Sequence, residues 1–74
     1  MERYDLRHLK DSFTDKMEEL IEKSNIGEVS IFMFEIGDFT PIQKSYDLAV
    51  KSGCEVLNSV KYNEVDWTLV VKKQ

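Results

Sequence analysis

The spacing of the apolar residues is the feature that most restricts the fold of this chain. Val29 to Ile36 is a run of apolar β-branched and aromatic residues, which predicts a central strand. The segments on either side of this run have the apolar period of an amphipathic helix. Helix starts are predicted at Asp11 or Ser12 and again at Thr40-Pro41, because Asp, Ser and Thr are favoured N-caps and Pro suits the first helical position.

A short strand and a hairpin complete the predicted fold. Tyr4 and Leu6 alternate with charged neighbours, which predicts a first strand. Cys54 to Lys61 and Val65 to Lys72 are predicted as the two arms of a hairpin. The expected order is β-α-β-α-β-β in a single domain, residues 1–74. The predicted fold class is α/β of the α+β type: a two-layer sandwich with two helices on one face of a four-stranded mixed sheet.

Each predicted helix has one apolar stripe. The stripe of the first helix consists of Phe13, Met17, Leu20 and Ile21, and that of the second consists of Ile42, Tyr46, Ala49 and Val50. Ser12 and Asp15 resemble a capping box at the start of the first helix, and Gly53 is expected to end the second. The larger aromatic residues are expected in the core or at its edge: Phe32, Phe34, Phe39, Tyr46 and Trp67.

Composition narrows the classes of partner. Ten basic and 14 acidic residues give a net charge of −4, which disfavours nucleic acid and anionic membranes as main partners. No apolar stretch is long enough to span a bilayer, and none resembles a signal peptide, so a cytoplasmic protein is expected. One cysteine and one histidine form no recognisable ligand set, so neither a metal nor a cofactor is expected.

Three segments resemble the TusA/SirA/YedF family of small sulfur-carrier proteins: Asp5-Leu6-Arg7-His8-Leu9-Lys10, Lys51 to Leu57, and Trp67 to Lys73. The family opens with a strand reading Asp-Leu-Arg-Gly-Leu-x-Cys-Pro-x-Pro, whose cysteine carries a persulfide sulfur. In this alignment the family cysteine falls at Asp11, and the two prolines fall at Ser12 and Thr14. The resemblance therefore implies a divergent member without the sulfur nucleophile.

The function implied by this resemblance is non-catalytic binding to another protein in sulfur trafficking or its regulation. The implied partner surface is the junction between the first strand and helix: Arg7, His8, Lys10, Asp11, Ser12 and Thr14. Enzymatic activity is not expected, because the persulfide cysteine is absent. Asp11 is interpreted as a helix cap, with a functional acid as the alternative. His8 is interpreted as an ordinary polar side chain, with a general base or metal ligand as the alternative.

Two other functions stay open at the level of sequence. Cys54 could be a relocated sulfur carrier in an active sulfurtransferase, although it follows the end of the second helix, where the negative end of the helix dipole disfavours a thiolate. An RNA-binding module is the second alternative, because small sandwiches of this order also occur in translation proteins. The acidic charge argues against RNA.

Overall fold

The computed structural model describes residues 1–74 and contains a four-stranded mixed sheet with both α-helices packed on one face. The elements are β1 (Glu2–Asp5), a 3₁₀ helix (Arg7–Ser12), α1 (Phe13–Lys23), β2 (Val29–Glu35), α2 (Thr40–Lys51), β3 (Cys54–Lys61) and β4 (Asp66–Lys73). The strand order is β1-β2-β4-β3, with β1 parallel to β2 and the other pairs antiparallel. The predicted fold class and element order are confirmed.

The core lies between the helices and one face of the sheet. Along β2, Ser30, Phe32 and Phe34 are buried, while the intervening residues point to the opposite face. The ring of Phe34 stacks on that of Phe13 from α1, with 4.3 Å between ring centroids. The apolar core residues are Leu6, Phe13, Met17, Ile21, Phe32, Phe34, Ala49, Cys54, Leu69 and Val71. The predicted stripe of α1 is therefore confirmed, and Leu20 packs at its edge.

The predicted stripe of α2 is only partly correct. Ala49 is buried, but Tyr46 and Val50 are exposed, and Ser45 takes a core position instead. Ser45 tolerates burial because its hydroxyl donates a 2.8 Å hydrogen bond to the carbonyl oxygen of Ile42. Small side chains at Ser45 and Ala49 thus form the buried face of α2. Phe39, for which the sequence predicts packing, is exposed in the turn before this helix.

The predicted helix caps are wrong in detail. Ser12 precedes α1 but makes no side-chain cap hydrogen bond, so the capping box with Asp15 does not form. Asp11 lies one residue earlier, in the 3₁₀ helix, and is not the cap either. The reason is that the backbone supplies the acceptor: the N–H of Phe13 donates to the carbonyl of Lys10.

At α2, Thr40 is the first helical residue instead of the N-cap, which is Phe39. The side chain of Asp38 accepts the N–H of Thr40 at 2.8 Å and takes the capping role predicted for Thr40. Gly53 has a φ of +80° after the last turn of α2, as predicted for a left-handed helix end.

The C-terminus of α1 is stabilised by a residue from the far end of the sequence. The ammonium of Lys73 in β4 donates to the carbonyl oxygens of Ile21, Glu22 and Ser24 at 2.9, 3.2 and 3.0 Å. These carbonyls have no partner within the helix, and a cation is favoured at this end of the helix dipole. Lys73 therefore joins the last strand to the first helix.

None of the helices is both long and apolar enough to cross a membrane.

Candidate functional site

The face of the sheet opposite the helices has an apolar centre that no other part of the protein covers. This open face carries Ile31 and Met33 from β2 and Thr68 and Val70 from β4, which pair across the two strands. All four are partly exposed. A sheet with apolar residues on both faces needs cover on both, and the two helices of this protein provide it on one.

A groove of about 350 Å³ runs over this open face. Its floor consists of Ile31, Met33, Thr68 and Val70. Arg3 and Asp5 of β1 line one side. Tyr62, from the turn between β3 and β4, lines the other side and is 62% exposed. The groove is thus an apolar floor between one charged wall and one aromatic wall.

A carboxylate–guanidinium–carboxylate bridge closes one end of the open face. The guanidinium of Arg7 donates to Oδ1 and Oδ2 of Asp5 at 2.9 and 2.6 Å, and to Oδ2 of Asp66 at 3.1 Å. Asp66 is buried and also accepts a 2.9 Å hydrogen bond from the amide of Asn63. The side-chain and backbone hydrogen bonds from Arg7 lower the pKa of Asp5 to about 2. Both acids therefore have their hydrogen-bonding partners within the protein.

The remaining polar groups of the open face differ in whether they have partners. Glu35, at the end of β2, forms a 2.8 Å ion pair with Lys10. Arg3 has neither an ion pair nor a side-chain hydrogen bond, although it lines the groove. The hydroxyl of Thr68 is shielded from solvent and also has no hydrogen-bond partner. Arg3 is therefore the charged groove residue whose interactions are left open within this protein.

The structure does not gather the sequence-predicted partner surface into one site. Arg7 and Lys10 are held in ion pairs, His8, Asp11 and Ser12 are exposed, and Thr14 is partly buried. Asp11 lines a polar depression with Gly37, Asp38, Thr40, Pro41 and Lys44, and Ser12 lines a separate one with Leu9, Asp15, Lys16 and Glu19. Arg7 alone reaches the open face, through its two carboxylate partners.

Cys54, the other sequence candidate, lies in the core instead of a groove. It is 8% exposed at the start of β3, and burial raises the pKa of its thiol while the nearby Lys73 lowers it. A protonated, covered thiol is a poor nucleophile, since the thiolate is the reactive form. The three depressions on the surface of the protein do not include this residue.

Sequence reasoning missed the groove residues themselves, namely Arg3, Ile31, Met33, Tyr62, Thr68 and Val70. A signal for them was present in Val29 to Ile36, where residues on both sides of the strand are apolar. Two short helices on one face cannot cover both sides of such a strand. An uncovered apolar face could therefore have been predicted, whereas the position of Tyr62 depends on the shape of the hairpin turn.

The fold and the open groove describe a small two-layer protein that offers an apolar surface to another molecule. Comparison with known families gives its class: residues 1–73 match the family of the E subunit of a "putative NADH-ubiquinone oxidoreductase". Because the match spans nearly the whole sequence, the protein belongs to this family. It is also similar to a protein with a solved structure, the solution structure of HP1264 from Helicobacter pylori. The two sequences are 51% identical, the alignment covers 100% of this chain and 99% of the other, and the TM-score is 0.71.

No curated protein matches the sequence.

This family match corrects the resemblance to TusA/SirA/YedF proteins, which is wrong. The Asp5-Leu6-Arg7 segment that suggested it has a local structural role, since Arg7 bridges Asp5 to Asp66. The position aligned with the family cysteine, Asp11, lies in a 3₁₀ helix before α1. Short motifs that follow a common order of strands and helices do not establish kinship.

The residues of this protein do not fit an iron–sulfur cluster, a cofactor that the description of an NADH-ubiquinone oxidoreductase brings to mind. Such clusters are held by several cysteine thiolates, four in the common types. The sequence has one cysteine, and no group of three or more His, Cys, Asp and Glu side chains could hold a metal ion. The protein therefore lacks the ligands to hold such a cluster by itself.

Proposed function

We propose that this protein is a non-catalytic subunit that acts by binding another protein in an assembly of the NADH-ubiquinone oxidoreductase kind. The observation that carries the proposal is the groove on the open face, whose apolar floor is left uncovered by the protein's own helices. Exposed apolar surface of this kind is typical of sites that bind another molecule. The family description supplies the setting.

The chemistry of the groove supports binding over catalysis. The ionisable side chains that line it are Arg3, Tyr4, Asp5 and Tyr62. Asp5 would be the candidate base, but its pKa is lowered to about 2 and Arg7 engages both of its oxygens. A carboxylate with so low a pKa is a weak base near neutral pH. The wall beside it therefore serves recognition better than proton transfer.

This proposal keeps the expectation of a non-catalytic, protein-binding function and changes the partner. The partner in sulfur metabolism depended on the resemblance that the family match overturns, so a protein of the oxidoreductase assembly takes its place. The expected compartment, the cytoplasm, stays a prediction. The sulfur-carrier and RNA-binding alternatives also stay predictions, and neither the buried Cys54 nor the acidic charge favours them.

Co-purification with a matched pair of tyrosine variants tests the proposal. Tagged wild-type protein, Tyr62→Ala and Tyr46→Ala are each purified from cells of the source organism, and the co-purifying proteins are identified by mass spectrometry. Tyr62 lines the groove, while Tyr46 is 45% exposed on α2, on the opposite side of the sheet, and serves as the control. NADH oxidation by the eluate, with ferricyanide as the electron acceptor, is measured in parallel.

We expect NADH-oxidising subunits to co-purify with the wild-type protein and with Tyr46→Ala. Their recovery should fall several-fold with Tyr62→Ala, because an exposed interface tyrosine contributes much of the contact energy at such sites. Equal recovery with both variants would contradict the placement of the binding site. The absence of oxidoreductase subunits from the wild-type eluate would contradict the proposed function.

A further inference from the structure

We infer that the groove receives an amphipathic α-helix of the partner protein, and that this helix presents a carboxylate to Arg3. The inference rests on the proposed function and specifies the chemistry of the partner at the same site. Three properties of the open face support it: its dimensions, its apolar floor and the unequal pairing of its charged residues.

The width of the groove matches a helix. It extends from β1 across β2 and β4 to Tyr62, which follows β3 at the opposite edge of the sheet. Three strand spacings of ~4.8 Å give about 14 Å between these walls. An α-helix with its side chains is about 10–12 Å across, so one helix fits between the walls above the sheet.

The floor calls for an apolar helix face. Ile31, Met33 and Val70 form a continuous apolar surface on the paired strands β2 and β4, and Val60 on β3 extends it past Thr68. Helices already cover the other face of the same sheet in this way, through Phe13 and Met17 of α1. A helix on the open face would complete a three-layer arrangement in which both apolar faces are covered.

The charges of the groove determine the sign of the partner. Asp5 and Asp66 share Arg7, and Glu35 pairs with Lys10, so the acids of the open face already have cationic partners. Arg3 has none. Covering an unpaired guanidinium is costly unless the occupant supplies an acceptor, and a carboxylate is the acceptor that suits Arg best. An occupant of this groove is therefore expected to place Glu or Asp beside Arg3.

Two synthetic peptides of about 18 residues, long enough to form an amphipathic helix, provide the probe. Both carry the same leucine stripe; one has Glu on both sides of the stripe and the other has Lys at the same positions. Each is titrated into ¹⁵N-labelled wild-type protein, Arg3→Glu and Lys51→Glu, and backbone amide shifts are followed by NMR. Lys51 is an exposed residue without an ion pair on α2, so Lys51→Glu changes the net charge equally without changing the groove.

We expect the Glu peptide to shift the amides of Ile31, Met33, Thr68 and Val70 in the wild-type protein and in Lys51→Glu. Arg3→Glu should weaken this binding about five- to tenfold, because an attractive contact is replaced by a repulsive one, and should strengthen binding of the Lys peptide by a similar factor. Equal affinity for both peptides, shifts confined to α2, the absence of binding, or concentration-dependent dimerisation of the protein through the groove would each overturn the inference.

The inference and the proposed function can fail separately. If Tyr62→Ala loses the oxidoreductase subunits during co-purification but Arg3→Glu retains them, the proposed function stands and the acidic helix is wrong. If the Glu peptide binds as expected but the wild-type protein recovers no oxidoreductase subunits, the helix-binding groove stands and the proposed function is wrong.

Discussion

The side chains of Arg7 and Asp66, 59 positions apart in the sequence, form an ion pair of 3.1 Å between the guanidinium and Oδ2. Arg7 follows the edge strand β1, and Asp66 begins β4 on the far side of β2. Because β1 has only four residues, this contact gives a short edge strand a second attachment to the sheet. The same bridge closes one end of the proposed binding groove.

Removing this bridge is expected to destabilise the protein. Arg7→Met should lower the free energy of unfolding by about 1–2 kcal/mol, because the buried carboxylate of Asp66 keeps its hydrogen bond from Asn63 but loses its charged partner. Arg3→Met is the matched control, since Arg3 lies on the neighbouring strand β1 without a partner, and its effect should stay within about 0.5 kcal/mol. Urea denaturation measures both; equal effects of the two substitutions would contradict a structural role for the bridge.

The pKa of Asp5 gives a prediction for the pH dependence of stability. It is lowered from 3.8 to about 2 in the folded protein, so ionised Asp5 stabilises the fold above pH 3.8, and this contribution is lost as the pH falls towards 2. In Arg7→Met the pKa of Asp5 should rise towards 3.8, which removes this part of the acid dependence. Carboxyl ¹³C shifts of both proteins between pH 1.5 and 6, read as about one titration per carboxylate, measure this directly. A pKa of Asp5 near 3.8 in the wild-type protein would contradict the bridge.

The C-terminal cap of α1 depends on Lys73. Lys73→Met should lower the free energy of unfolding by about 1–2 kcal/mol, because three carbonyl oxygens lose a charged donor and methionine keeps most of the aliphatic stem. The adjacent Lys72→Met provides the control, since Lys72 is exposed and makes no ion pair, and should change stability by less than about 0.5 kcal/mol. Thermal or urea unfolding distinguishes them, and the reverse order of effects would be inconsistent with capping by Lys73.

Lys10 has a backbone conformation that favours glycine, with φ 50° and ψ −128°. Lys10→Gly should be about 1 kcal/mol more stable than Lys10→Ala, because both substitutions remove the ion pair with Glu35 and only glycine relieves the strain. At an ordinary helical or extended position the order would be reversed, since glycine costs about 0.5–1 kcal/mol relative to alanine. Urea denaturation of the two variants decides between these orders, and greater stability of Lys10→Ala would contradict the strained conformation.

The sequence predicted elements better than contacts between them. Apolar periodicity located α1 and β2, and Gly53 marked the end of α2, because each depends on residues close together in the sequence. The Lys73 cap and the Arg7–Asp66 bridge join residues 49 to 59 positions apart, so local patterns carry no sign of them. The prediction for the stripe of α2 is partly wrong because hydrophobicity alone ranks Tyr46 above Ser45, whereas close packing against the sheet selects the smaller side chain.

The candidate site was harder to predict than the fold. The expected junction, Arg7 to Thr14, depended on a motif whose residues serve the ion-pair network and a 3₁₀ helix. The groove is a property of the sheet as a whole, formed by β1, β2, β4 and the hairpin turn. Only the two-sided apolar character of β2 indicated it in the sequence.

The central claim is that the partner protein covers the open face of the sheet, and site-specific photo-crosslinking in cells tests it most directly. Benzoylphenylalanine replaces either Val60, 41% exposed on the open face beside Thr68, or Val50, 53% exposed on α2. After irradiation, adducts are identified by mass spectrometry. We predict adducts with a subunit of the NADH-oxidising assembly from position 60 and none from position 50. Adducts from position 50 alone, or from neither position, would contradict the claim.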